Sequence, residues 1–299
     1  MKYLVTGGAG FIGSNIVNEL IAEGHEVDVI DDLSSDAHEE FYFNEKATYH
    51  LVSVLDYILC SDIMNVCKPD YVLHLAAEAR IQNCVLDPTK AYETNLIGTL
   101  NILALCKKYS VKRLVLSSTS AIYGLKNTGP LNESMSPDCL NAYSLSKYNA
   151  EQACELYGKM YGQDTICLRY FNVYGPNQPT KGQYAPVIGV FQRQKTNNQS
   201  LTVVGDGEQT RDYVHVKDVV AANILASQHP GTFTGDVFNV GCGKNYSVNW
   251  IANKIESDKT KITNIPARGG EARDTISNIE KIKSVFGWQP SISLDEWFK

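Results

Sequence analysis

Apolar and polar residues alternate with two different periods along the first half of the chain. Short, nearly continuous apolar runs are typical of strands that are covered on both faces, and apolar residues three and four positions apart indicate helices. These patterns predict strands at 2–6, 26–30, 48–54, 71–75, 112–117 and 165–169, and helices near 11–23, 56–67, 91–109 and 143–161. Their alternation predicts an α/β fold with a doubly wound parallel sheet that has helices on both faces.

The pattern becomes less regular after residue 172. Residues 175–185 are rich in Gly, Pro, Asn and Gln, and later apolar runs such as 200–204 are short and lie beside glycines. We therefore predict a first domain over 1–172, to which the chain returns near 214–241. Residues 173–213 and 242–299 are predicted to form a smaller mixed α/β C-terminal substrate domain.

The first predicted strand runs directly into a glycine-rich turn that contains Gly7, Gly10 and Gly13. Apolar residues from Phe11 and Ile12 onward then continue at helical spacing. Glycines let the backbone turn tightly and approach a pyrophosphate, and the helix N-terminus supplies N–H groups and the positive end of a dipole. A glycine pattern alone also fits an ordinary turn, so the dinucleotide interpretation depends on the residues at the end of the second predicted strand.

The second predicted strand ends in Asp31-Asp32, roughly 20 residues after the glycines. An acid at this spacing accepts hydrogen bonds from the hydroxyls of a cofactor ribose and repels a 2′-phosphate. Since no Arg follows closely, the sequence favours NAD over NADP as the cofactor.

Composition narrows the possible partners of this chain of 299 residues, of which 43% are hydrophobic and 20% charged. With a net charge of −6 and no basic run, we expect no nucleic-acid partner. The eight cysteines occur singly, which is typical of reduced thiols in a cytoplasmic protein. We expect no metal site because the six histidines do not cluster with cysteines or acids. We also expect no membrane span and no signal peptide, because long apolar runs are lacking and the first strand begins at residue 2.

Candidate catalytic residues lie in or after two of the predicted elements. Tyr143 and Lys147 lie four residues apart, on one face of a predicted helix, where the cation is expected to lower the pKa of the phenol toward neutrality. Such a tyrosine can take a proton from an alcohol while a hydride leaves to NAD⁺. A lone Tyr-x-x-x-Lys also fits an ordinary surface helix. However, four hydroxyl residues end the predicted strand at 112–117 and extend beyond it, and Thr119 among them can bond the same substrate oxygen.

Taken together, these segments resemble the extended short-chain dehydrogenase/reductase superfamily and, within it, the UDP-hexose 4-epimerase family. The likeness extends over nearly the whole chain, in segments 6–13, 74–77, 92–95, 117–124, 143–147, 169–176, 205–215, 238–241, 268–271 and 287–288. It implies a Rossmann-type NAD-binding domain, bound NAD and a UDP-sugar substrate. It also implies redox-neutral inversion at C4 through a transient 4-keto sugar.

The resemblance assigns a role to each matching residue. It implies that Tyr143 is the acid/base, that Lys147 lowers its pKa and holds the nicotinamide ribose, and that Thr119 bonds the sugar O4. The implied cofactor-binding residues are Gly7, Gly10, Phe11, Ile12, Gly13, Asp31, Asp32, Ser34, Ser35, Val54, Leu75, Ala76, Ala77, Asn95, Ser117, Tyr143, Lys147 and Tyr170. The implied substrate-binding residues are Thr119, Tyr143, Asn172, Val187, Thr202, Val204, Arg211, Tyr213, Val248, Arg268 and Glu271.

Three positions bear on substrate and reaction. Ser53 stands where the family usually has an Asp near the adenine, and Ala121 stands where related decarboxylases carry a Glu. The lack of that acid favours epimerisation over decarboxylation or 4,6-dehydration. Thr275, a small residue at the position near the sugar C2 group, implies that N-acetylhexosamines fit as well as hexoses. The alternatives are other nucleotide-sugar enzymes of the same superfamily, namely a UDP-glucuronate or UDP-N-acetylglucosamine epimerase, a decarboxylase or a 4,6-dehydratase. A non-catalytic NAD-sensing protein on the same fold is a further alternative.

The resemblance further implies a homodimer that forms through the helices near 91–109 and 143–161. Apolar residues do recur at helical spacing in the first of these, at Leu96, Ile97, Leu100, Leu103 and Ala104. Such a stripe fits burial against the chain's own sheet equally well, so periodicity does not decide between the two arrangements.

Overall fold

A computed structural model describes residues 1–35, 40–180, 186–267 and 272–299. Its strands, in chain order, are β1 Lys2–Thr6, β2 Glu26–Asp31, β3 Thr48–Leu51, β4 Tyr71–His74, β5 Arg113–Thr119, β6 Pro130–Leu131, β7 Thr165–Tyr170, β8 Asn172–Tyr174, β9 Leu201–Val204, β10 Thr210–His215, β11 Thr234–Val240, β12 Asn245–Ser247, β13 Ile262–Ile265 and β14 Ile276–Ser277. Its helices are α1 Phe11–Ala22, α2 Tyr57–Cys67, α3 Ile81–Leu86, α4 Pro88–Tyr92, α5 Gly98–Lys108, α6 Ala142–Tyr161, α7 Val187–Thr196, α8 Val216–Gln228, α9 Val248–Ile255, α10 Glu280–Phe286 and α11 Leu294–Trp297.

The largest sheet in the described residues has seven parallel strands in the order β11-β7-β5-β4-β1-β2-β3. The chain builds outward from β1 to β3 on one side and then from β4 to β11 on the other. Ligands bind at such a reversal of strand order, beyond the carboxyl ends of the strands, which here places the crevice between β1 and β4. The predicted doubly wound α/β fold is confirmed.

Both faces of this sheet are covered, which explains why its strands are apolar along their length. On one face, α1 and α8 pack through residues such as Ile16, Val17 and Val219. On the other face, α2, α5 and α6 contribute residues such as Met64 and Ile102. All seven residues of β5 are buried, as expected for a central strand.

One predicted helix, near 91–109, is divided into three parts in the structure. The first is α4, which begins at Pro88 because Asp87 caps it by accepting a hydrogen bond from the Lys90 amide. A π-helical turn follows over Glu93–Ile97, and α5 continues from Gly98. Such π-helical turns are frequent at functional sites, and this one contains Asn95, a predicted cofactor-binding residue.

The remaining strands form smaller sheets around a separate apolar cluster. In the described part of the chain, β10 pairs with β8 and β12, β9 pairs with β13, and β6 pairs with β14. The buried Asp212 carboxylate ties this region to the end of β11. It accepts from the amides of Cys242, Gly243 and Ser277 and from the Ser277 hydroxyl.

Three further observations concern partners and compartment. All eight cysteines are free thiols. Within the described ranges, we find neither a helix long and apolar enough to cross a membrane nor a His, Cys, Asp and Glu group suited to a metal ion.

Candidate active site

The glycine-rich turn between β1 and α1 packs so closely against the chain's own backbone that Gly7 and Gly13 have no room for a side chain. Gly7 has a φ of +70°, and its amide donates to the Ile30 carbonyl oxygen at 2.8 Å. A Cβ on Gly13 would lie 2.1 Å from the Gly7 oxygen. In the described residues no side chain caps α1 at Gly10. The turn therefore presents backbone N–H groups at a close-approach surface, which fits the pyrophosphate of NAD.

Asp31 is fixed against this turn at the end of β2. One carboxylate oxygen accepts from the Ala9 amide at 2.9 Å and the other accepts from the Leu33 amide at 2.9 Å. Asp32 is more exposed and accepts from the Ser34 amide at 3.1 Å. Carboxylate oxygens at the end of β2 are acceptors of the kind that ribose hydroxyls need.

A cavity of about 280 Å³ extends from the glycine turn to Tyr143. Every predicted cofactor position except Asn95 lines it, namely Gly7, Gly10, Phe11, Ile12, Gly13, Asp31, Asp32, Ser34, Ser35, Val54, Leu75, Ala76, Ala77, Ser117, Tyr143, Lys147 and Tyr170. Lining residues that the sequence analysis missed are Ile30, Phe41, Val52, Glu78, Ala79, Arg80, Lys90, Thr94, Ser118 and Pro179. Several of these follow β4, where the only available signal was their position after a strand.

Asn95 lies behind the cavity wall and is only 1% exposed. Its side-chain oxygen accepts from the Glu78 amide at 2.8 Å, and its side-chain nitrogen donates to the Glu78 carbonyl at 3.0 Å. It therefore holds a wall residue by both backbone groups and is not itself on the surface of the cavity.

The three predicted catalytic residues meet at the carboxyl end of β5. Helix α6 begins at Ala142 because Asn141 and Ser144 cap it reciprocally, which places Tyr143 in the first turn. The Tyr143 phenol lies close enough to the hydroxyl of Thr119, the last residue of β5, for the two groups to interact. One turn further along α6, the Lys147 ammonium donates to the Ser117 carbonyl at 2.8 Å.

The pKa of Tyr143 does not follow the sequence-based expectation. Burial raises it, and the hydrogen bond from Thr119 acts in the opposite direction. The expected lowering by Lys147 is wrong for the chain's own residues, because desolvation of the phenol dominates. Burial also lowers the pKa of Lys147 to about 8, although the charge of Glu151 opposes this. A further positive charge near the phenol is therefore required to favour tyrosinate at neutral pH.

A buried ion pair lies one helical turn beyond Lys147. Glu151 accepts from the Ser118 hydroxyl at 2.6 Å and from Arg169 at 2.9 and 2.7 Å. The Arg169 guanidinium also stacks over the Tyr123 ring at 4.8 Å. Since charge-assisted bidentate pairs are strong and geometrically specific, this pair fixes α6 against β7 directly below the catalytic residues.

Among the predicted substrate residues that the structure describes, Tyr143 alone lines the cavity, and Thr119 lies beside it. Asn172 and Tyr213 face each other across β8 and β10, and Asn172 donates to the Asp212 carbonyl. Arg211 donates to the Thr210 carbonyl, and Thr202 accepts from Gln194. The other described positions lie at the start of α7, at the end of β9 and at the start of α9: Val187, Val204 and Val248. Two predicted positions fall outside the described residues, Arg268 and Glu271.

The model of the NAD dependent epimerase/dehydratase family matches residues 3–241 of the chain. The chain belongs to this family. A putative UDP-glucose 4-epimerase of Methanocaldococcus jannaschii is 37% identical over 300 residues, which cover 99% of this chain and 95% of that protein. The predicted family and NAD as its cofactor are confirmed.

Two solved structures show the same fold. The UDP-glucose 4-epimerase of Thermotoga maritima with UDP-glucose has a TM-score of 0.93 and 38% identity, covering 100% of this chain and 96% of that chain. The UDP-N-acetylglucosamine 4-epimerase of Methanobrevibacter ruminantium in complex with UDP-N-acetylmuramic acid has a TM-score of 0.91 and 32% identity, covering 99% and 94%. The family relatives therefore include epimerases for different UDP-sugars.

Proposed function

We propose that this protein is an NAD-dependent UDP-sugar 4-epimerase that interconverts UDP-glucose and UDP-galactose. The observation that carries the proposal is that Tyr143 and Lys147, one helical turn apart, line the cavity that begins at the glycine turn, with Thr119 beside the Tyr143 phenol. This arrangement places an acid/base group and a hydroxyl next to the cofactor region, as abstraction of a proton from a sugar hydroxyl requires.

Bound NAD supplies a reversible hydride acceptor for oxidation at C4 of the sugar. Within the chain, Tyr143 takes the proton of the C4 hydroxyl and later returns it, while Thr119 holds the same oxygen. Lys147, one helical turn from Tyr143, would hold the nicotinamide ribose. Ala121, in the 3-10 turn after β5, has no acidic side chain to assist dehydration or decarboxylation. The chemistry therefore ends at inversion of C4.

The N-acetylhexosamine pair is a second candidate substrate. Thr275 is small, and among the described residues its buried hydroxyl has no hydrogen-bond partner. Its amide donates to the Thr210 carbonyl at 3.2 Å, which fixes the backbone beside Arg211. The small size of Thr275 supports room for an acetamido group in the proposed sugar subsite.

Proton NMR of the anomeric signals tests both candidates. The purified protein, without added NAD, is incubated with UDP-galactose and separately with UDP-N-acetylgalactosamine. Appearance of the C4 epimer at constant total sugar supports a redox-neutral epimerase with retained NAD. Slower conversion of the acetylated sugar by Thr275→Tyr, with UDP-galactose conversion kept, supports the role of Thr275. If neither sugar is converted even with NAD added, UDP-glucuronate is tested next and the hexose assignment is abandoned.

We further propose that residues 1–172 with 214–241 bind NAD, and that 173–213 with 242–299 bind the nucleotide sugar. The placement of Tyr213 and Val248 in and around the smaller sheets supports this division. The free thiols support a reducing compartment, the cytoplasm, as the location of the protein.

A homodimer through α5 and α6 completes the proposal. Leu103 is buried in the chain's own core. Three other apolar residues are exposed, namely Ile97 to 46%, Leu156 to 50% and Met160 to 61%. Exposed apolar residues on adjacent helices support a surface that a second copy covers. Light scattering on a sizing column checks this, with Met160→Glu as the disrupting variant. A wild-type monomer at micromolar concentration contradicts it.

A further inference from the structure

His74, the last residue of β4, is buried between the glycine turn and the π-helical turn, and the proposed reaction does not use it. The side chain is only 1% exposed, yet both ring nitrogens have hydroxyl partners. Nδ1 lies 2.7 Å from the Thr6 hydroxyl and Nε2 lies 3.0 Å from the Thr99 hydroxyl. Burial, together with the charge of Lys147, lowers the pKa of His74 to about 3, so the ring is neutral.

The partners of the two hydroxyls assign the tautomer of the ring. Thr99 donates its single proton to the Asn95 carbonyl at 2.7 Å, so it accepts from Nε2–H of His74. Thr6 accepts from the Ala76 amide at 3.2 Å and donates its own proton to Nδ1. With the proton on Nε2, both ring nitrogens and both threonine hydroxyls form their hydrogen bonds. With the proton on Nδ1, the Thr6 proton has no acceptor, and Thr99 has to donate its proton to His74 and not to the Asn95 carbonyl.

The same network continues from Asn95 to the catalytic helix. The Asn95 side chain donates to the Ser146 hydroxyl at 3.0 Å, and Ser146 donates to the Tyr143 carbonyl at 3.0 Å. An unbroken series of hydrogen bonds thus runs from Ala76, on the cavity wall, through Asn95 in the π-helical turn to the backbone of Tyr143. The π-helical turn accounts for part of this connection, because its Asn95 carbonyl is satisfied by the Thr99 hydroxyl of the following helix.

We propose that His74, as the neutral Nε2–H tautomer, is a positioning residue that fixes the π-helical turn and the first turn of α6 against the carboxyl ends of β1 and β4. Both ends of the network lie on the cavity wall, one beside the cofactor region and the other at the residue that moves the proton. Small displacements between reacting groups lower the rate far more than they lower binding. Loss of the network is therefore expected to act on kcat and not on KM.

A pair of variants at Thr99 tests this without removing the histidine. Thr99→Val keeps the shape but removes both the acceptor for His74 and the donor to Asn95, whereas Thr99→Ser keeps them. This test rests on the proposed function: we expect kcat for the UDP-sugar to fall about tenfold in Thr99→Val. KM and bound NAD should stay unchanged, and Thr99→Ser should restore the rate. Equal rates in the two variants, or an effect on KM alone, would overturn the proposal.

Nitrogen NMR of the wild-type histidine rings tests the same proposal independently of any substrate. We expect one ring to stay neutral, with its proton on Nε2, from about pH 8 down to about pH 5, and to be perturbed by Thr99→Val. A protonated ring or an Nδ1–H tautomer at this position would overturn the proposal. If no UDP-sugar is converted, the proposed function fails, and this spectrum still decides the role of His74 in the network.

Discussion

Acidification below about pH 6.5 should destabilise this protein through His74. The pKa of the ring is about 3 in the folded chain and 6.5 in its ordinary state. Below about pH 6.5 His74 therefore binds a proton in the unfolded chain but not in the folded chain, so the free energy of unfolding falls as the pH falls. At 1.36 kcal/mol per unit, and with the unfolded ring almost fully protonated, the loss from about pH 7.5 to about pH 5 amounts to roughly 2 kcal/mol.

Urea denaturation of the wild type and of His74→Gln at several pH values measures this loss. The difference between the two proteins isolates His74, because other acid-sensitive groups are common to both. Burial lowers the pKa of His215 too, while Asp70 and Asp138 have lowered values and destabilise the fold only at more acidic pH. We expect the wild type to lose roughly 2 kcal/mol more than the variant over this range. Parallel losses in the two proteins would refute the reasoning.

Three further substitutions test the site. Tyr143→Phe should lower kcat by about 10²–10⁴-fold while bound NAD, measured after denaturation, is retained, and full turnover by the variant would remove Tyr143 from its role. Gly13→Ala places a Cβ 2.1 Å from the Gly7 oxygen, so the protein should purify with little NAD, and an undiminished NAD content would argue against this cradle. Glu151→Gln leaves Arg169 buried without its counter-charge and should cost about 3–5 kcal/mol in urea denaturation, whereas a cost under about 1 kcal/mol would count against the pair.

The large sheet could be predicted because its strands are buried on both faces and are apolar almost throughout. β1, β4 and β7 begin and end within one residue of their predicted bounds. The division of the helix near 91–109 could not be predicted, because Leu96, Leu100 and Leu103 keep helical spacing across the π-helical turn. That turn coincides with a hydrogen bond between the Thr99 side chain and the Asn95 carbonyl, and such contacts leave no periodic signal.

The candidate site was predicted where local spacing defines the geometry. The glycine turn and the pair formed by Tyr143 and Lys147 depend on residues only a few positions apart. Their local geometry can therefore be predicted from their spacing in the sequence. Asn95 was predicted to be a cofactor-binding residue, and the structure places it behind Glu78. Depth within a wall depends on distant packing, which leaves no local signal in the sequence. The direction of the Tyr143 pKa was wrong for the same reason, since burial of the phenol comes from elements far away in sequence.

The late position of β11 in the chain has a consequence for synthesis on the ribosome. β7 pairs with β5 on one side and with β11 on the other. β11 is synthesised roughly 60 residues after β7, which takes about 3–12 s at about 5–20 residues per second. During that interval a buried strand is an open sheet edge, which is a template for pairing with another chain. Arg113 also lacks two of its hydrogen-bond acceptors during this interval, because the Ala226 and His229 carbonyls precede β11 by only a few residues. Nascent chains of this protein therefore pass through a period in which β7 needs protection from aggregation.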